Sequence, residues 1–128
     1  MNYLLDTHAV LWALEDDPRL GEGARAVVSK AEEGDLAISD ISLLEISMLL
    51  HKGRIHVQED AAQFLSSIAA AFRVLPIDPL IASDAMAVVV PQGDPFDRII
   101  LATARAHRLS LLTCDRGLSA SGLVEVIW

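Results

Sequence analysis

The sequence predicts a single three-layer α/β/α domain, in which a mostly parallel central sheet is flanked by helices. Its 128 residues are enough for one hydrophobic core and too few for two. The composition is 52% hydrophobic but only 5% aromatic, which is typical of aliphatic helices packed on a buried parallel sheet. Short apolar runs alternate with helical patterns, and this alternation favours parallel strands joined by helical crossovers. All of residues 1–128 are therefore assigned to one domain.

The strands are predicted from short apolar runs that lack helical periodicity. The first run follows Met1 and ends at Asp6, and the fourth ends just before Cys114. Each of the first three is separated from the next by at least one helical pattern, as expected for parallel neighbours. The predicted strands cover residues 2–5, 36–39, 74–77, 109–113 and 124–127.

The helices are predicted from apolar spacing and from the residues that begin and end them. Asp78 and Asp94 each precede a proline, which is favoured in the first turn because its missing N–H has no partner there. Gly34 and Gly53 are predicted to end the helices that precede them. The predicted helices cover residues 7–14, 23–33, 41–52, 59–72, 79–89 and 95–107.

Composition also limits the class of protein. The single cysteine, Cys114, excludes an intrachain disulfide and is assigned to the core. No signal-peptide pattern and no apolar run of about 18 residues is present, so we expect a soluble, cytoplasmic protein without a membrane partner. The net charge of −8 is unusual for a protein that binds nucleic acid, although bound metal would offset part of it.

Four acidic residues lie where predicted strands give way to helices, and they are the candidate catalytic and metal-binding residues. Because the carboxyl ends of parallel strands share one edge of a sheet, we expect these side chains to converge. Carboxylates gathered without a basic partner need a cation, and Mg²⁺ or Mn²⁺ prefers oxygen ligands. Such an ion would activate water and stabilise charge on a phosphate. The four residues are Asp6, Glu45, Asp97 and Asp115.

Each of these acids also has a structural explanation. Ser42 and Glu45 match the Ser-x-x-Glu capping box, and Asp97 follows Asp94 in a related first-turn arrangement. The two acids at strand ends could cap the turns that follow them. If all four converge, their mutual repulsion should raise at least one pKa in the metal-free protein.

Five further residues are candidates for supporting roles. Thr113 and Ser39 end their strands and could hydrogen-bond a carboxylate or metal-bound water, or instead form turns. Arg98, Lys52 and Arg54 are candidates for contact with the phosphate backbone of a nucleic acid. The structural alternatives are a surface ion pair for Arg98 and a favourable charge at a helix C-terminus for the other two.

The order of these features resembles the PIN-domain family, and within it the VapC-type toxins of type II toxin–antitoxin pairs. The resemblance is carried by LLDTHAVLWAL at residues 4–14, ISDISLLEI at 38–46, DPFDRIILATARAHRLSLLTCD at 94–115 and the terminal VEVIW. It implies that the four acids hold one or two Mg²⁺ or Mn²⁺ ions, with Thr113 as a supporting hydroxyl. It also implies endoribonuclease cleavage by a metal-activated water, leaving a 5′-phosphate and a 3′-hydroxyl. The implied partners are an RNA substrate, a small VapB-like antitoxin and a second copy in a homodimer.

Other readings remain open at this stage. A haloacid-dehalogenase-like phosphatase would need an acid two residues after Asp6, where His8 stands. A phospho-receiver domain would need an adjacent acidic pair and a late lysine, and a DNA nuclease of related architecture would be longer. The main alternative is a catalytically inactive PIN-fold module that only binds RNA or protein.

Overall fold

The computed structural model describes residues 2–88 and 93–128, and it contains a five-stranded sheet whose neighbouring strands all pair in parallel. The strand order is β3-β2-β1-β4-β5, so β1 is central. This arrangement confirms the predicted α/β class with helices on both sides of a parallel sheet. The strands are β1 (Tyr3–Leu5), β2 (Leu36–Ser39), β3 (Arg73–Leu75), β4 (Ser110–Leu112) and β5 (Val126–Ile127).

Seven helices are found in the described residues. Most are short, and the longest is the helix that carries Asp97 in its first turn. They are α1 (Thr7–Leu14), α2 (Glu22–Lys30), α3 (Asp40–His51), α4 (Ala61–Ala71), α5 (Pro79–Ala87), α6 (Pro95–His107) and α7 (Arg116–Ala120). None of the helices in the described ranges has the length and apolar character needed to span a membrane.

The core lies on both faces of the sheet because successive strand residues point in opposite directions. Leu4 pairs with Ala37 and Leu111, and all three belong to the cluster packed against α6 and α7. The next residue, Leu5, belongs to the opposite cluster, which is packed against α1 to α4. A strand buried on both faces reads as a continuous apolar run, which explains why Leu4 and Leu5 are both fully buried.

The connectivity reverses direction beside the central strand. From β1 the chain moves outward to β2 and β3, and it then returns to place β4 and β5 on the other side of β1. The strand order therefore switches between β1 and β4. In open parallel sheets the crevice at the carboxyl ends of such strands is where ligands bind.

Predicted element boundaries lie within two residues of those observed, except at the end of the second helix. The helix predicted for residues 23–33 is α2, which ends at Lys30, so Gly34 does not cap it. Asp35 accepts a hydrogen bond from the N–H of Glu32 at 2.9 Å, and its own N–H donates to the Glu32 carbonyl at 3.1 Å. This closed turn replaces the last helical turn, and Gly34 occupies it with φ +86°.

Three other expectations need correction. The Ser42–Glu45 capping box is wrong, because α3 begins earlier and Ser39 is its N-cap, accepting from the Ile41 N–H at 3.2 Å. Helix α7 was not predicted, since five residues show no periodicity. Helix α5 ends at Ala87 and the next residue, Val88, is already extended, whereas the predicted end at residue 89 lies outside the described ranges.

Candidate active site

Asp6 stands at the C-terminal end of the central strand, where its side chain is almost completely buried. Its backbone N–H donates to the carbonyl oxygen of Leu112 in β4 at 3.1 Å, which fixes it beside the neighbouring strand. Its Oδ1 accepts from the N–H of Ala9 at 2.8 Å, so Asp6 is also the N-cap of α1. Burial raises the pKa of Asp6, while hydrogen bonds from Thr113 and Ala9 oppose that rise.

Thr113 connects Asp6 to Asp115 through hydrogen bonds. It directly follows β4 and is 1% exposed. Its hydroxyl donates to Oδ2 of Asp6, and the hydroxyl oxygen accepts from the backbone N–H of Asp115 at 3.0 Å. The Asp115 side chain in turn caps α7, because its Oδ1 accepts from the N–H of Leu118 at 2.9 Å. The ends of β1 and β4 are thus held in one geometry.

Glu45 approaches the same edge from α3. Its carboxylate accepts a hydrogen bond from the hydroxyl of Thr7, which also lies 3.1 Å from the hydroxyl of Ser42. A hydroxyl has one proton to donate, and a carboxylate is the stronger acceptor. Thr7 therefore donates to Glu45, and Ser42 is left to donate to Thr7. Burial raises the pKa of Glu45, and the Thr7 hydrogen bond opposes the rise.

Asp97 lies in the first turn of α6. Asp94 is the N-cap of this helix and accepts from the backbone N–H of Asp97 at 2.8 Å, with Pro95 in the first turn. The capping bond uses the Asp97 N–H and leaves its carboxylate outside that interaction. The Asp97 carboxylate lines the same cavity as the other acids of the site.

The pKa of Asp97 is raised from its ordinary value of 3.8 to about 7. Burial of the carboxyl group is the largest cause. The remaining causes are nearby negative charges, each of which disfavours ionisation. In decreasing order they are Asp94, Asp115, Glu45 and Asp6.

All four predicted acids line one cavity of about 180 Å³. A fifth carboxylate, from Asp94, joins them. Within the described part of the chain, no lysine or arginine lines this cavity. The described residues that line it are Asp6, Thr7, His8, Glu45, Asp94, Asp97, Cys114 and Asp115.

These residues fit a hard divalent cation in the chemistry of their donors. Carboxylate oxygens crowded without a basic partner are the ligand set that Mg²⁺ and Mn²⁺ prefer. Across residues 2–88 and 93–128, no three His, Cys, Asp or Glu side chains already stand at the mutual spacing of metal ligands. The like charges of the carboxylates repel one another, and Asp6 and Glu45 are each hydrogen-bonded to a threonine hydroxyl. Binding a cation would require the carboxylates to move closer together.

The remaining predicted residues lie outside the cavity. Ser39 is fully buried and caps α3, so the turn-forming alternative describes its contacts. The guanidinium of Arg98 donates to the carbonyl oxygen of Val88 at 2.6 Å, which directs it to the end of α5 and leaves its predicted phosphate contact unsupported. Lys52 and Arg54 are exposed just beyond α3, and Arg54 lines an adjacent groove.

Two lining residues were missed or misassigned from sequence. Cys114 is exposed, so its assignment to the core is wrong. It sits between Thr113 and Asp115 in the segment that leaves β4, where the chain turns away from the sheet. Thr7 holds Glu45 although the two are far apart in sequence, and only its position next to Asp6 could have suggested a role.

The sequence profile of the PIN domain matches residues 3–122. This range includes every acid of the cavity and nearly the whole chain. The chain therefore belongs to the PIN-domain family. Among curated proteins, the chain is similar to "Ribonuclease VapC22" of Mycobacterium tuberculosis (strain ATCC 25618 / H37Rv), with 36% identity over 118 residues that cover 90% of this chain and 88% of the relative.

Solved structures give the same fold. A toxin–antitoxin complex from Klebsiella pneumoniae contains a chain that is 26% identical, with a TM-score of 0.68 and coverage of 96% of this chain and 95% of that one. VapC20 of Mycobacterium tuberculosis, described as a sarcin–ricin loop cleaving toxin, has a TM-score of 0.72 at 21% identity and covers 99% of this chain and 100% of its own. The second likeness concerns the fold alone.

Proposed function

We propose that this protein is a metal-dependent endoribonuclease that acts as the toxin of a type II toxin–antitoxin pair in the cytoplasm. The observation that carries the proposal is the cavity at the topological switch point, where acids from four separate chain segments meet. The similarity to a curated ribonuclease of the VapC group over most of both chains supports RNA as the substrate.

Four carboxylates are proposed to hold Mg²⁺ or Mn²⁺. They are the cavity acids from four chain segments that the sequence singled out. When bound, such a cation lowers the pKa of a coordinated water and offsets negative charge that develops on a phosphate. Asp94 remains the cap of α6, since its Oδ1 is engaged with the Asp97 N–H. The proposed ligands are Asp6, Glu45, Asp97 and Asp115.

The supporting residues orient these carboxylates. The Thr113 hydroxyl fixes Oδ2 of Asp6, and the Thr7 hydroxyl fixes the Glu45 carboxylate. Outer groups of this kind commonly change metal affinity by about 10- to 100-fold when removed. Ser39 contributes indirectly, because it sets the start of the helix that carries Glu45.

The attacking group in this proposal is water. Partial desolvation of the exposed Cys114 thiol and the nearby charges of Asp6 and Asp115 raise its pKa, so the thiol stays protonated near neutral pH and is a weak nucleophile. A water oxygen forms the new bond to phosphorus, the bond from phosphorus to the 3′ oxygen breaks, and that oxygen takes up a proton. The products carry a 5′-phosphate and a 3′-hydroxyl.

Cleavage of total cellular RNA by the purified protein tests the proposal. We expect discrete fragments in Mn²⁺ or Mg²⁺, none in EDTA, and none from Asp97→Asn in any buffer. Sequencing of the fragment ends would identify the target. If RNA stays intact under every condition with folded, antitoxin-free protein, the PIN fold here serves binding alone.

A small antitoxin is the proposed protein partner. The likeness to a chain from a toxin–antitoxin complex supports it, and the net charge of −8 with its acidic cavity suits a partner that presents a basic side chain there. The product of a short neighbouring gene should co-purify with the protein and block RNA cleavage. Failure of every neighbouring gene product to do so would remove this part of the proposal.

A homodimer is proposed as well. Two large apolar side chains on α5, Leu80 and Met86, are 70% and 66% exposed, and contact with a second copy would remove them from water. Light scattering should give twice the mass of the 13.8 kDa chain. Leu80→Glu should shift the protein toward the monomer, whereas an acidic substitution at an already polar exposed position such as Gln63 should not.

A further inference from the structure

A second groove, of about 300 Å³, lies directly beside the acidic cavity. The two share His8, which lines both. The apolar part of the groove is formed by Leu11 of α1, Leu49 of α3 and Ile55 in the segment after α3. A molecule whose reacting phosphate occupies the acidic cavity would therefore extend naturally into this groove.

The groove follows one face of α1. From His8, the next groove residues of this segment come three, four and seven positions later, and this spacing places them in a row along the helix. They are Leu11, Trp12 and Glu15. The row begins one residue after Thr7, whose hydroxyl holds the Glu45 carboxylate. Helix α1 thus leads from the acids at its N-terminus to the far end of the groove.

Trp12 is the central aromatic residue of the groove and is held on several sides. The guanidinium carbon of Arg19 lies 4.9 Å from the centre of its ring. The His8 ring centre is 5.5 Å away on one side and the Trp128 ring centre is 5.7 Å away on another. Trp12 nevertheless remains partly exposed, so its indole is a fixed surface that a flat ligand can contact.

The two arginines of the groove differ in their charge balance. Arg19 forms a two-pronged pair with Asp17, with nitrogen–oxygen distances of 3.0 and 2.8 Å, which offsets its charge and orients its plane over Trp12. Arg54 is exposed and forms no ion pair with another residue in the described ranges. In a chain of net charge −8, Arg54 is a free cation close to the acidic cavity.

We propose that this groove binds the nucleotides that flank the scissile phosphate of a single-stranded RNA. Arg54 contacts a backbone phosphate, and a base stacks on the part of the Trp12 indole that Arg19 leaves exposed. The proposal rests on the ribonuclease function proposed above. Stacking on aromatic side chains and phosphate contacts by guanidinium groups are the two interactions that single strands need, and both occur here within one groove.

RNA is favoured over a protein segment by this combination. An apolar floor alone would suit either ligand. A partly exposed indole backed by a guanidinium plane, beside an unpaired cation and a phosphate-cleaving site, matches the repeating base and phosphate of a nucleic acid. Binding of the antitoxin in the groove is the competing outcome, and the experiment separates the two.

The test measures binding of a fluorescein-labelled, 12-nucleotide single-stranded RNA of random sequence by anisotropy. The protein carries Asp97→Asn so that the RNA is not cut, and KCl is varied. Adding Arg54→Gln should lower the slope of log K against log salt by about 0.7, the value for one lost phosphate contact on a single strand. Arg73→Gln, which removes an exposed charge at the start of β3, should leave the slope unchanged.

Stacking is tested separately. Trp12→Leu should weaken binding about tenfold with little change in the salt slope. If that variant folds poorly, tryptophan fluorescence provides a second measurement. RNA should quench the emission of the protein, and this quenching should be lost in Trp12→Phe and kept in Trp128→Phe.

Three results would overturn the inference. Arg54→Gln and Arg73→Gln could have the same effect on the slope, or quenching could survive in Trp12→Phe. Alternatively, the groove variants could bind RNA normally and lose only their inhibition by the antitoxin. In each case RNA cleavage by the otherwise unchanged protein would leave the proposed function standing. If the unsubstituted protein neither binds nor cleaves RNA, both proposals fall.

Discussion

At the scale of single residues, Asp97 should make the metal-free protein sensitive to pH. Its pKa is about 7 in the folded state against an ordinary value of 3.8, so folding favours the protonated form. The stabilisation is complete below the ordinary pKa and is lost as pH rises through about 7. In EDTA the melting temperature should therefore fall as pH rises from about 4 to about 7 and level off above that, and Asp97→Asn should reduce the fall.

The matched control for this prediction is Glu59→Gln. It removes one negative charge at an exposed position just before α4. The pH dependence of this variant should follow that of the unsubstituted protein. If Asp97→Asn and Glu59→Gln give the same curves in EDTA, charge crowding at Asp97 is not what limits stability.

Thr113 should matter more for its hydroxyl than for its volume. Thr113→Val keeps the shape but leaves Oδ2 of Asp6 and the N–H of Asp115 without their partner. The free energy of unfolding should drop by about 1–3 kcal/mol, the usual cost of buried polar groups left unsatisfied. Urea unfolding measures the drop, and Mn²⁺ titration calorimetry should show weaker binding. Thr113→Ser restores the hydroxyl, so an equal loss in both variants would contradict this role.

Sequence reasoning located the acids better than their surroundings. Asp6 and Asp115 were predictable because an acid at the end of a buried strand has few places to go in a parallel sheet. The contact between Thr7 and Glu45 was not, because it depends on how α3 packs across α1. The turn of Arg98 toward the Val88 carbonyl was hidden for the same reason, since it requires the position of α5.

At the scale of secondary-structure elements, Gly21 allows the last residue of the sequence, Trp128, to pack against the start of α2. A Cβ at Gly21 would overlap the backbone and ring of Trp128. At Gly23, the N–H donates to the Trp128 carbonyl at 3.1 Å. This contact also places the Trp128 ring against Trp12. Glycine is therefore needed here for close approach rather than for an unusual φ.

Gly21→Ala should destabilise the protein by about 2 kcal/mol, because the backbone of Trp128 must shift to admit the new methyl group. Urea unfolding monitored by tryptophan fluorescence measures both the loss and the change around Trp128. Gly34→Asn is the control, since Gly34 has open space around it and asparagine tolerates its positive φ. A larger loss in the control than in Gly21→Ala would contradict the steric explanation.

Element starts were easier to predict than element ends. The Asp78 and Asp94 caps place the first residue of α5 and α6 where expected, since each aspartate binds an N–H in the first turn. The end of α2 depended on the Asp35 side chain competing for the Glu32 N–H. Such competition is a balance of small local terms that periodicity does not register.

At the scale of the whole molecule, bound metal should stabilise the fold. A cation that binds only the folded state adds RT ln(1 + [L]/Kd), which is about 2.7 kcal/mol at one hundred times the dissociation constant. Mn²⁺ or Mg²⁺ should therefore raise the melting temperature, and Asp97→Asn should blunt the rise. Calorimetric titration of the Glu59→Gln control with the same cation separates binding at the site from general screening of surface charge. If metal leaves the unsubstituted protein unchanged, the carboxylates do not form a metal site.

The fold class was predictable from the alternation of strand and helix, but the order of the strands in the sheet was not. Alternation implies parallel pairing, and it leaves several arrangements open. The placement of β4 beside β1 is what brings Thr113 within reach of Asp6. The site therefore depends on a long-range pairing that no local pattern specifies.

Asp6 and Asp115 each cap a helix and line the acidic cavity, and this combination affects which inactivating mutations leave the protein folded. Each uses one oxygen to start a helix, so replacement by alanine damages folding as well as chemistry. Asparagine keeps the capping oxygen and removes the charge. Where selection favours loss of nuclease activity together with retention of a folded partner for the antitoxin, asparagine should accumulate at these two positions. Inactive copies of the gene would then be recognisable by asparagine at these positions, and a single base change at each position would restore the aspartate.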